Sequence, residues 1–203
     1  MKQFLKCTAL VAMLSMGGCV SFQVTGPINA PVHPAAVTSP RTAQVADVTV
    51  SAPGLDQATR EAISRSLTKD LDRYVDKAGY FKSVSEYPTR LGEQDVVLKF
   101  DMTSLKGRRA PHPGYFPGAL LTLTLWIWVN GPIYVDSFDL AGDLVIVDRD
   151  GVELARSKDQ ITFKHNVGLY GGDYWAPTIM GGKQLSLLVG ELLDSATVQL
   201  AKR

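Results

Sequence analysis

Residues 45–203 predict an α+β domain, a mostly antiparallel sheet with two amphipathic helices packed on one face. Three observations lead there: a long helical pattern near the start, a second at the end, and alternating apolar runs joined by turn residues between them. Helices confined to the two ends favour neighbouring antiparallel strands over repeated parallel crossovers. A domain of this length hides roughly 70% of the surface its unfolded chain exposes, so a real core is expected.

Val45 to Val50 reads as a short strand ending at the Pro53-Gly54 turn. The segment from Asp56 to Ala78 follows as a helix. Asp56 can accept from the free amides at its start, and Ile63, Leu67, Leu71, Val75 and Ala78 recur along one face. Gly79 stands where a left-handed residue ends such a helix. The charged residues Arg60, Lys69, Asp70, Asp72, Arg73, Asp76 and Lys77 fall on the other faces, as a solvated surface requires.

Tyr80 to Val84 suggests a return into a strand, and Asp95 to Leu105 is a clearer one. There Val96, Leu98, Phe100 and Met102 alternate with Lys99, Asp101 and Thr103, so one face is buried. Phe138 to Val147 and Val152 to about Phe163 form a hairpin around Asp148-Arg149-Asp150-Gly151. Asp-Gly accepts the positive backbone angles of a tight turn. Leu185, Leu188, Val189, Leu192, Ala196 and Leu200 mark the closing helix.

Ala119 to Val129 is the most apolar run after residue 18. Leu121, Leu123, Leu125, Ile127 and Val129 alternate with Thr122, Thr124, Trp126 and Trp128, which reads as a strand covered on both sides. Two readings of its tryptophans stay open: a central strand in the core, or a surface at which Trp126 and Trp128 meet lipid or another subunit. A membrane-spanning helix is disfavoured because Asn130-Gly131-Pro132 breaks the run. Before it, Lys106 to Gly118 holds three prolines and reads as a loop, with Arg108 and Arg109 at one end and Tyr115 and Phe116 at the other. A second irregular stretch, His165 to Lys183, carries five glycines with Tyr170, Tyr174 and Trp175, as either a recognition lid or packing over the sheet edge.

Catalytic patterns are sparse. There is no Gly-x-Ser-x-Gly elbow and no His-Glu-x-x-His helix, and Gly181-Gly182-Lys183 lacks the first glycine and the hydroxyl residue of a phosphate loop. His112, His165 and Asp173 lie near loops and could meet in space, which is a weak constellation. No enzyme, cofactor or metal site is assigned.

The amino terminus is more specific. Lys2 and Lys6 precede an apolar core from about Cys7 to Met16, followed by Gly17 and Gly18. That core is shorter than the roughly 20 residues a membrane span needs. Met16-Gly17-Gly18-Cys19 resembles the bacterial lipobox, with methionine where the family usually has leucine. The resemblance implies a signal peptide over 1–18, cleavage before Cys19, thioether lipidation of Cys19 and acylation of its amino group. It also implies the outer membrane, since Val20 replaces the aspartate that marks inner-membrane retention. Cys7 then leaves with the signal, so no thiol remains for a disulfide or catalysis. Losing Lys2 and Lys6 leaves 19 basic against 20 acidic residues, which gives no bias toward nucleic acid.

Residues 19–44 contain Pro27, Pro31, Pro34 and Pro40 and almost no charge, and read as a lipidated tether. Extended at about 3.1 Å per residue, it would reach on the order of 75 Å. The order of elements from 45 to 200, with Gly79-Tyr80-Phe81 after the long helix, resembles the TolB amino-terminal domain and lipoproteins of the CsgG and LpoB type. The resemblance implies the fold more than the task. The expectation is an outer-membrane lipoprotein facing the periplasm, a non-enzymatic scaffold or assembly accessory with an envelope-protein partner. A self-assembling export component and a lipid- or glycolipid-binding accessory are the alternatives. The expected contact surfaces are Arg108, Arg109, Tyr115, Phe116, Trp126, Trp128, Tyr170, Tyr174 and Trp175.

Overall fold

The computed structural model describes residues 19–90, 92–122 and 125–202; the signal-peptide reading of 1–18 lies outside the described residues. The elements are β1 (Val20–Gln23), β2 (Ser39–Val45), β3 (Thr49–Val50), α1 (Gln57–Ala78), β4 (Phe81–Ser85), β5 (Val96–Pro111), α2 (Tyr115–Leu121), α3 (Leu125–Trp128), β6 (Tyr134–Val147), β7 (Glu153–Val167) and α4 (Pro177–Leu200), with a single 3-10 turn at Gly172–Tyr174. The strands form one seven-stranded sheet in the order β4-β2-β5-β6-β7, and β1 and β3 also pair with β5. The molecule is α+β, as expected.

The long meander β5-β6-β7 is antiparallel, whereas β2 runs parallel to both β4 and β5. The parallel part has a simple cause: α1 carries the chain back along the sheet before β4 begins. Local chemistry sets the ends of these elements. Asp56 Oδ1 accepts from the Thr59 amide at 2.8 Å, and Gly79 closes α1 at φ 74°. At the β6-β7 turn, Asp148 Oδ1 accepts from the amides of Asp150 and Val152, and Gly151 sits at φ 81°.

Both long helices cover the same face. Ile63, Leu67 and Leu71 of α1 and Leu185, Leu188 and Leu192 of α4 join Leu98, Phe100, Met102, Leu140, Leu144 and Ile146 in one buried cluster. On the reverse face only Ala46, Val97 and Val147 form a small second cluster, with Val145 against it. The rest of that face presents polar side chains such as Lys99, Lys158 and Gln160 to solvent.

Three expectations are corrected. Residues 20–44 are not a free tether over their length: β1 pairs antiparallel with residues 106–109, β2 enters the sheet, and Val24 and Ala43 are fully buried. The prolines fall largely between these pairing stretches, so a Pro-rich segment still docks. Second, residues 106–111 are not a loop but the extension of β5, and 115–118 already belong to α2. Third, 119–129 is not a covered strand. Its described residues form the short helices α2 and α3, with Leu120, Leu121, Leu125, Trp128 and Val129 exposed. Its flanks, Pro117-Gly118 and Gly131-Pro132, confine it to a compact excursion between β5 and β6. The stretch 165–183 is also more regular than expected, since β7 runs to Val167 and α4 starts at Pro177.

Candidate functional site

Beyond the ends of the long helices, β5, β6 and β7 continue past the core and build one end of the sheet. Alternation places Arg109, Asp136 and His165 on the helix-covered face there, because β5-β6 register pairs Arg109 with Asp136 and β6-β7 register pairs Asp136 with His165. Asp136 is fully buried and binds Arg109 through two hydrogen bonds of 2.7 Å each. The third arm of the guanidinium donates to the Tyr174 carbonyl at 2.6 Å, and its carbon lies 5.4 Å from the Tyr134 ring centre. Arg109 is therefore committed internally, tying the β7-α4 connection to the sheet.

Around this clamp lies a cleft of about 400 Å³ lined by Val20, Arg109, Tyr115, Phe116, Tyr174 and Trp175, with Pro111, Ile133 and Tyr134 completing the wall. Tyr134 and Tyr174 are 5.9 Å apart, and Trp175 meets Tyr174 edge-on at 4.8 Å. Burial, followed by the neighbouring phenols Tyr134 and Tyr115, pushes the Tyr174 hydroxyl above its ordinary pKa. Nothing in the lining other than Arg109 is charged, so the cleft suits apolar or aromatic groups.

Of the residues singled out from the sequence, Arg109, Tyr115, Phe116, Tyr174 and Trp175 come together in this cleft. Trp126 lies against Gly118 and Gly131, where a Cβ would meet its ring at 2.6 Å and 2.4 Å, and its indole donates to the Pro132 carbonyl. It is the packing centre of the α2-α3 excursion. Trp128 points outward at 73% exposure and Trp175 at 81%. Tyr170 is exposed, and its amide donates to Asn130 Oδ1, which links the β7-α4 connection to the end of α3. Arg108, one residue from Arg109, falls on the opposite sheet face, where its guanidinium reaches Cys19 Sγ at 3.0 Å.

Cys19 is exposed and directly precedes β1, whose first residue, Val20, pairs with Arg109 and lines the cleft. The expected lipidation position thus lies at the same end of the sheet as the aromatic residues. No sequence signal linked the two, since β1-β5 pairing spans almost ninety residues. Val20, Ile133 and Tyr134 were missed for the same reason.

The histidines have local roles. His112 Nδ1 accepts from the Gly114 amide, and His165 stacks on Phe163. Among the described residues no group of three or more His, Cys, Asp or Glu side chains is placed to hold a metal ion. No helix among them is long and apolar enough to cross a membrane.

The fold defines a class: a mixed sheet with one face covered by two helices and an aromatic cleft where the chain enters. Among solved structures it is similar to a Xanthomonas campestris protein of the DUF330 family, with TM-score 0.53 and 10% identity over 87% of this chain and 94% of the other. It is more distantly similar to a homologue of the neuraminyllactose-binding hemagglutinin from Helicobacter pylori, with TM-score 0.43 and 11% identity over 82% and 88%. A minor lipoprotein from Acinetobacter baumannii follows at TM-score 0.30 and 12% identity, over 81% and 90%. At these identities the first likeness bears on the fold, and the other two carry no argument. No family model matches the sequence, and no curated protein matches it significantly.

Proposed function

We propose that this chain is a lipid-anchored protein of the bacterial envelope, held at the outer membrane and facing the periplasm. It acts there without catalysis, as a scaffold or assembly accessory for another envelope component. One observation supports the reading above the others. Cys19, the lipobox cysteine, is exposed at the same end of the sheet as the aromatic cleft and is joined to it through β1, whose Val20 lines the cleft, without an intervening linker. An anchor in that position orients the cleft, with Phe116 and Trp175 at its rim, relative to the membrane.

The partner surface is the wall of the cleft behind these rim residues, with Tyr115 in it. A photo-crosslinking residue at Tyr115 in living cells is expected to capture one defined envelope protein, while the same probe at Lys99 on the polar face captures none. Equal capture at both faces, or Cys19→Ala protein that still fractionates with membranes, contradicts the reading.

Self-association is a second reading, favoured by the edge of β7, which among the described residues pairs with β6 alone over Glu153–Val167. The exposed Arg156, Lys158 and Lys164 along it guard against indiscriminate strand addition, so a specific second copy is required.

A further inference from the structure

The α2-α3 excursion presents Phe116, Leu120, Leu121, Leu125, Trp128 and Val129 with exposures between 53% and 83%. No residue from 113 to 135 carries a charge. Exposed apolar side chains scattered singly need no explanation, but this many on one short excursion do. The neighbouring β7-α4 connection enlarges the surface, since exposed Tyr170 is bonded to Asn130 and Trp175 shares the cleft with Phe116.

We propose that this surface is a second, non-covalent membrane contact: α2 and α3 insert into the outer part of the same lipid leaflet that holds the acyl chains of Cys19. The inference rests on the lipidation of Cys19 read above. Four features favour a bilayer over a protein partner as the occupant. The first is position. Residue 20 pairs with residue 109, only a few residues before α2 begins, so acyl chains on Cys19 leave the domain beside the excursion.

The second is backbone satisfaction, which entry into hydrocarbon demands. Within the excursion the amides of Gly118, Thr122, Val129 and Gly131 donate to the carbonyls of Gly114, Gly118, Leu125 and Trp126. The Thr122 hydroxyl donates to the Gly118 carbonyl and accepts from the Trp126 amide. The third is charge. Arg108 and Lys164 are exposed and flank Ser137 across three adjacent strands, on the sheet face that meets this end. They stand where lipid phosphates would lie, although the chain without residues 1–18 has no basic excess. The fourth is the aromatic rim of Tyr170 and Trp175, residue types that settle at the membrane interface. Two acyl chains and an inserted apolar excursion give the two or more signals that stable anchoring requires.

The test uses lipidated protein purified from membranes and reconstituted into phosphatidylethanolamine-phosphatidylglycerol vesicles whose acyl chains are brominated near the headgroup. Tryptophan emission is expected to fall by at least a third relative to unbrominated vesicles, and Trp128→Phe is expected to remove more than half of that quenching. The doubly substituted Leu121→Glu, Leu125→Glu protein is expected to lose the quenching with an unchanged melting temperature, because both side chains are exposed. The mass of the amino-terminal peptide is measured on the same sample. Acylated protein whose emission ignores bromine overturns the membrane contact and leaves the anchored reading standing. So does efficient crosslinking of two copies through position 128. An unacylated Cys19 overturns both.

Discussion

Arg109 was expected on an interaction surface because it sits in a basic run beside prolines. Its register opposite Asp136 instead makes it a buried clamp, with bonds to the carboxylate and to the Tyr174 carbonyl. Removing one partner of such a pair strands a charge in the interior. Arg109→Ala is expected to destabilise the protein by about 3–5 kcal/mol and to loosen the β7-α4 connection, which urea unfolding and proteolysis after Tyr174 would both read. Arg108→Ala, on the exposed face, is expected to change stability by less than about 0.5 kcal/mol. A second residue-scale prediction concerns Glu191. Its hydrogen bond to Asp159, with burial and the charges of Asp159 and Asp194, holds its carboxyl pKa up at about 7 against an ordinary 4.5. Asp159 Oδ2 is shielded from solvent with no hydrogen-bond partner among the described residues, so a proton on Glu191 relieves the repulsion between the two carboxylates. The native state keeps this proton to higher pH than the unfolded chain does. Stability is therefore greatest below about pH 4.5 from this pair and falls as pH rises through about 7. Glu191→Gln is expected to flatten that slope between pH 5 and 8 in thermal melts.

At the scale of elements, α1, the β6-β7 hairpin and the buried face of β5 were legible because their signals are local. Periodicity marks Ile63 to Ala78, Asp-Gly marks the turn, and alternation marks Val96 to Met102. Two elements were not legible. The segment from Val20 to Gln44 is held by partners remote in sequence, and its composition carries no trace of them. Two glycines make its seats. A Cβ at Gly107 would meet the Phe22 ring at 2.2 Å, and one at Gly182 would meet the Pro27 carbonyl oxygen at 2.2 Å. Gly182, which read as part of a loop, lies inside α4, where the irregular segment around Pro27 between β1 and β2 needs that close approach. Gly182→Ala is expected to cost about 1–3 kcal/mol despite its better helix propensity, and to raise hydrogen exchange in residues 24–29. Gly172→Ala, where a Cβ meets nothing, serves as the control. The second element, 119–129, misled through its Leu-Thr alternation. The pattern fits a strand, yet Trp126 packs between Gly118 and Gly131 and closes the chain into a short helical excursion instead.

For the whole molecule these corrections change the expected geometry at the membrane. A tether of the length first expected would hold the domain on the order of 75 Å away. With β1 beginning at Val20 and paired to β5, an anchor on Cys19 leaves no such reach, and in the proposed arrangement the domain rests on the bilayer with its aromatic end down. The aromatic residues legible in the sequence as a possible contact surface then share one orientation with the anchor. Their common location follows from sheet register, which single-sequence patterns do not reveal.

Neutron reflectometry of the lipidated protein on a supported bilayer measures this arrangement directly. The account predicts a protein layer continuous with the lipid headgroups, with no hydrated gap, and partial overlap of protein with the outer acyl region. A water-filled layer tens of ångströms thick between the bilayer and the domain would contradict it.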